Sequence, residues 1–173
     1  MRTLGNHLGV TLIEMLITMS IIAVLASVAM PFSKFTGKRT QELELRQKLR
    51  EMRSAIDEFR RDWARDGELL IGPLCVKNTM ACKEITGVTG YPKTLETLLS
   101  VQLTSAEATF QETKAVRRYL RRIPLDPMTG TNEWRLRCYQ DAPDVHSWCK
   151  DDVFDVSSKS SEQAVDKTFY RDW

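Results

Sequence analysis

Histidine is nearly missing from this chain. Its 173 residues contain two, His7 and His146, too few for a His-based metal centre or a proton-relay triad. An excess of one charge is missing as well. Lys and Arg number 25 against 23 Asp and Glu, and a net charge of +2 gives no bulk electrostatic hold on nucleic acid. With only eight Gly, six Pro and 42% hydrophobic residues, the composition excludes a disordered, collagen-like or low-complexity polymer. No nucleophile elbow and no phosphate-cradling glycine loop accompanies the Ser, His and Asp residues, so no active site is expected. The basic group Arg117, Arg118, Arg121 and Arg122 reads as the solvated face of a helix rather than a nucleic-acid or lipid site. Trp63, Trp134, Trp148 and Trp173 read as core or interface anchors.

Charge is scarcest from Val10 to Met30, where Glu14 is the sole ionisable side chain in VTLIEMLITMSIIAVLASVAM. As a helix this stretch is roughly 30 Å long and matches a bilayer's hydrocarbon core. Later windows all carry charges at short intervals, so one transmembrane segment is expected, over residues 10–30. A cleaved secretory signal is the alternative, with Ser27-Val28-Ala29 as its small-residue cleavage site. Against it stand the length of the run and Glu14, since a carboxylate buried in lipid costs roughly 2–3 kcal/mol and a disposable signal gains nothing from it.

Arg2 before the run and Lys34, Lys38 and Arg39 after it form the wrong asymmetry for an exported C-terminal domain. Cys75, Cys82, Cys138 and Cys149 point the other way. They are an even set without C-x-x-C spacing, which reads as two disulfides in an oxidising compartment such as a bacterial periplasm. Of the three connectivities, Cys75 with Cys82 and Cys138 with Cys149 close the shortest loops.

Past Pro31 the apolar pattern becomes one-sided. Leu45, Leu49, Met52, Ile56, Phe59 and Trp63 follow at steps of four, three, four, three and four, one stripe of an amphipathic helix over 31–63. Pro31 and Gly37 are expected to bend or loosen the helix over 31–38 without separating its halves. The remaining 110 residues, 64–173, form one modest α+β domain. Its Gly- and Pro-rich start reads as loop, a short helix is predicted after Pro92, and a second where Val116, Tyr119, Leu120 and Ile123 recur. Asp126 to Gly130 is turn chemistry, followed by an alternating strand with Trp134, Leu136 and Cys138 on one side. A second short strand is predicted over Val153–Val156. The expected class is α+β, a long N-terminal helix packed on a small antiparallel sheet.

Leu8 and Gly9, then Val10-Thr11-Leu12-Ile13-Glu14 and an apolar run ending at Pro31, resemble the leader and N-terminal helix of type IV pilins and type II secretion pseudopilins. Gly90-Tyr91-Pro92-Lys93-Thr94, and Ile123 to Gly130 with Trp134, are similar to the soluble domain of the family's major, G-type pseudopilins. The resemblance implies a leader over 1–9 that a prepilin peptidase removes between Gly9 and Val10, N-methylation of Val10, and assembly through Glu14 and Pro31. It also implies a structural subunit rather than an enzyme. The partners would be copies of itself, minor pseudopilins, an inner-membrane assembly platform and inner-membrane lipid, with the domain in the periplasm. A type IV pilus or DNA-uptake pilin is the close variant, and a soluble periplasmic domain released after a signal peptide is the reading from another class. In the filament, Glu14 of one subunit would meet the new α-amine of Val10 in a staggered neighbour, which satisfies the buried charge and sets axial register. Val10 departs from the usual Phe. The family's calcium loop is replaced by a stretch in which Asp155 and Asp166 are the candidate ligands and Lys159 intrudes, so calcium competes with a plain polar loop.

Overall fold

A computed structural model describes residues 11–103, 116–142, 145 and 147–173, with the side chains of residues 28–35 also outside the description. The architecture is α+β. A single helix, α1, runs Leu12–Trp63, and the chain divides between Thr40 and Gln41 into two compact units. The second unit adds strands β1 (Arg65–Asp66) and β2 (Leu69–Leu70), helices α2 (Pro73–Lys77) and α3 (Thr79–Ile85), and a 3-10 turn, Leu95–Leu98. Strands β3 (Val101–Gln102), β4 (Val116–Arg117), β5 (Arg135–Arg137) and β6 (Asp155–Ser157) and a 3-10 turn at Tyr170–Asp172 follow among the described residues. Instead of one small sheet, the described residues form three antiparallel pairs, β1 with β2, β3 with β4 and β5 with β6.

The core is the predicted stripe and what covers it. Leu45, Leu49, Met52, Ile56, Phe59 and Trp63 are all buried, packed with Tyr91, Leu98, Val101, Trp134, Val153, Val156 and Tyr170. Polar contacts lock the helix to its cover. Trp63 Nε1 donates to Tyr119 Oη at 2.9 Å and Tyr119 donates to Asp62 at 2.8 Å, while Arg117 pairs with Glu58 at 2.7 Å.

Two local expectations differ from the structure. The 116–123 segment is not a helix, because Val116 and Arg117 pair with Gln102 and Val101 and the side chains of Arg117 and Tyr119 are drawn to Glu58 and Asp62 on α1. The Arg117 group therefore does not form a helical face. The stretch after Gly72 is not loop either: Pro73 occupies the start of α2, where its missing N–H is no loss, and α2 and α3 carry Cys75 and Cys82.

The turn after Pro124 builds as its residues dictate. Gly130, at φ +70°, donates to the Asp126 carbonyl at 2.7 Å. The fully buried Asp126 side chain accepts from Met128 N at 2.8 Å and from Ser158 Oγ at 2.6 Å, tying the turn to the end of β6.

Candidate assembly site

The first unit presents a surface rather than a cavity. Leu12, Ile13, Met15, Leu16, Ile17, Met19, Ile21, Ile22, Val24 and Leu25 are each at least half exposed. They occupy every helical phase, so no side of the helix is polar. Two hydroxyls in the stretch turn back on the helix: Thr18 donates to the Met15 carbonyl at 3.0 Å and Ser27 to that of Val24 at 2.7 Å. The one charge within residues 12–27 is Glu14, exposed in the first turn of α1, where a carboxylate complements the helix dipole. Thr11 stands just before α1 and its Oγ1 accepts from Glu14 N at 3.4 Å. Thr11-x-x-Glu14 has the spacing of a capping box, a signal readable in the sequence that the periodicity reading passed over.

Gly9 and Val10, the expected cleavage and methylation positions, lie outside the described residues, as does the side chain of Pro31. Among the described residues no helix is long and apolar enough to cross a membrane. The fully described apolar part, residues 12–27, spans about 24 Å, and the predicted segment 10–30 extends past it on both sides.

In the second unit the structure joins Cys75 to Cys82 and Cys138 to Cys149. Cys138, Cys149 and Asp141 cluster closely enough to suggest a metal, but the two sulfurs are bonded to each other and offer no thiolate. The calcium candidates are not brought together around one centre. Asp155 accepts from Arg53 at 2.7 Å and from Arg137 at 2.9 Å, so a cation there would have to displace two guanidinium groups. Asp166 accepts from the hydroxyl and backbone N–H of Thr168, which holds its carboxyl below the usual range, and faces Arg46 at 3.7 Å. Lys159 points to Glu133 at 2.8 Å. These side chains form ion pairs and a turn.

Glu42 is a functional-looking residue that sequence reasoning missed. Although charged it is 9% exposed, and it accepts from Tyr170 Oη at 2.9 Å and Val165 N at 2.8 Å, pinning the last turn of the chain to α1. Burial first, and then the Glu42 carboxylate, push the Tyr170 phenol well above its ordinary range.

Residues 5–30 match the family model of the prokaryotic N-terminal methylation motif, the segment typical of type IV pilins and pseudopilins. The match takes in Gly9, Val10 and Glu14. Neither the curated proteins nor the solved structures contain a match to the chain.

Proposed function

We propose that this chain is a structural, non-enzymatic subunit of a type II secretion pseudopilus. Residues 10–30 anchor it in a bacterial inner membrane with the domain 64–173 in the periplasm. A prepilin peptidase removes residues 1–9, Val10 is methylated, and the exposed helix then leaves the bilayer to pack against copies of itself. The observation that carries this reading is the stretch 12–27 of α1, apolar on every side with Glu14 as its lone charge, lying within the matched methylation motif. A surface of that kind is stable only when lipid or other apolar helices surround it. Glu14 then acts by pairing with the Val10 amine of a staggered neighbour. The two disulfides support an oxidising compartment.

Intact mass spectrometry of the membrane-extracted protein tests the processing: the expected chain begins at methylated Val10, and a chain beginning at Met30 would replace this reading with a released soluble domain. Glu14→Ala tests the mechanism. The variant should enter the membrane as well as wild type, because the costly charge is gone, yet form no filaments and support no secretion. Abundant filaments from Glu14→Ala would overturn the register role of the carboxylate.

A further inference from the structure

The part of α1 that belongs to the second unit has its charges sorted by sign, a feature that assembly through residues 12–27 does not use. Successive side chains of a helix stand about 100° apart, which places each one around the axis relative to the buried stripe centred on Leu45 and Trp63. Between Glu44 and Asp62, the arginines Arg46, Arg50, Arg53, Arg60 and Arg61 fall roughly 60–160° to one side, with Asp57 the one acid among them. Glu44, Glu51, Glu58 and Asp62 fall roughly 100–140° to the other side, with Lys48 beside them. Between the flanks, opposite the buried stripe, runs an uncharged seam of Leu43, Gln47 and Ser54, all exposed. The domain ties part of each flank down, since Arg53 pairs with Asp155 and Glu58 with Arg117, both at 2.7 Å. Arg50 and Arg61 on one flank and Glu44 and Glu51 on the other are exposed. An open groove of about 530 Å³, lined by Ser54, Asp57, Arg60, Arg61 and Ala64, lies beside the seam. Sorting by sign does not favour a lone helix. Arg46 with Arg50, and Arg50 with Arg53, are like-charge pairs at spacings of four and three, which are slightly destabilising.

We propose that this face of α1 docks the same face of a second copy lying parallel to it, the arginine flank of each beside the acidic flank of the other. Seam-on-seam packing of parallel helices brings opposite signs together along both edges, whereas turning one copy end over end sets like against like. Copies anchored the same way round in one membrane are parallel already. Glu44, Glu51 and Glu58 recur every seven residues, and so do Arg46, Arg53 and Arg60. A copy displaced along the axis by one such repeat, roughly 10 Å, therefore meets the same signs. The proposal rests on the filament reading for its occupant and adds the face that orients the neighbour.

The test measures self-association of the full chain in uncharged detergent by sedimentation. Glu51→Arg and Arg50→Glu each change one exposed side chain and empty no core. Either reversal alone should weaken association by about fivefold or more. An equimolar mixture of the two should return to within about twofold of wild type, because each variant supplies the sign the other needs. Recovery in the mixture also shows that both variants are folded. Raising the salt should weaken association of the wild type. Reversals that leave association unchanged overturn the docking face, and so does a mixture as weak as its components or a wild type indifferent to salt. Reversals that strengthen association overturn the parallel orientation, since antiparallel copies alone gain from them. A wild type that stays monomeric overturns the choice of occupant. The two readings fail separately. Loss of association in Glu14→Ala, with no response to the charge reversals, sinks this face and keeps the filament reading. The expected response to the reversals in a mature chain that begins at Met30 keeps this face and sinks the filament reading.

Discussion

Between Leu12 and Leu25 ten large apolar side chains are 54–78% exposed, whereas the six stripe residues from Leu45 to Trp63 are 0–2% exposed, although both stretches belong to one helix. The difference lies in how the apolar positions are distributed around the axis. A stripe needs covering on one side, and the chain supplies that cover from its own later residues. Ten apolar residues in every helical phase need surrounding, and lipid or several copies of the same helix can do that. Residues 12–27 are the richer in β-branched residues and are helical all the same, so the tertiary requirement and not propensity distinguishes the halves: the chain covers the stripe of one and leaves the other bare.

The largest effect that could break this comparison is a cavity. Phe59 is fully buried, with its ring centroid 6.1 Å from that of Trp63 and 5.3 Å from that of Tyr119. Phe59→Ala should destabilise the domain by about 3–5 kcal/mol. Leu16→Ala, a comparable truncation in the exposed half, should leave it within about 0.5 kcal/mol. Denaturant unfolding of the detergent-solubilised chain, followed by tryptophan fluorescence, measures both. Equal losses would show that residues 12–25 are also completed by the domain.

The stripe was legible because period 3.6 is a local property and all six positions obey it. Strand β5 was legible for the same reason, its alternation running from Trp134 to Tyr139, while β6, expected over Val153–Val156, runs Asp155–Ser157. Val116, Tyr119, Leu120 and Ile123 obey the helical period equally well, yet the segment is extended at Val116 and Arg117. Its conformation is decided by partners about 15 and 60 residues away, Val101 and Glu58, which no window contains. At the candidate site, Glu14 stood out as a lone charge in an apolar run. Glu42 did not, since on the sequence it is one more acid in a charged helix and only Tyr170 and Val165 give it a role.

Alkaline titration sharpens the comparison next, because the stripe's cover is locked by phenols and the exposed half has none. Burial, and then the Asp62 hydrogen bond, raise the Tyr119 phenol, and burial with Glu42 raises that of Tyr170. A group whose folded pKa lies above its unfolded value contributes stability below the unfolded value and loses it as pH climbs. The domain should therefore hold its stability up to about pH 9 and lose it progressively above about pH 10. Tyr119→Phe should cost about 1–2 kcal/mol at neutral pH, leaving the Trp63 N–H without its acceptor and Asp62 with Arg117 alone at 3.2 Å, and should flatten the alkaline fall. An alkaline fall of the same steepness in a Tyr119→Phe, Tyr170→Phe double variant would assign it to other groups.

The smallest expected effect tests whether the second half can be tightened without touching the first. Lys167 holds φ at +69°, in the left-handed region, within a turn where Lys167 N donates to the Ala164 carbonyl at 3.0 Å and Ala164 N to that of Thr168 at 2.8 Å. Its side chain is exposed, so little packing is lost when it is removed. A non-glycine residue pays roughly 1–2 kcal/mol for this conformation. Glycine does not, but it frees the unfolded chain by about 0.5–1 kcal/mol, so Lys167→Gly should gain several tenths of a kcal/mol. The turn leads into Tyr170 and through it to Glu42 on α1, so the gain should appear as a Tm higher by roughly 1–3 °C. Lys167→Ala is the control. It removes the same side chain and keeps the strained φ, so it should give no gain, and equal gains from Gly and Ala would trace the cost to the lysine charge instead of the backbone. Membrane insertion and filament yield should be the same in both variants, because nothing in residues 12–25 depends on this turn.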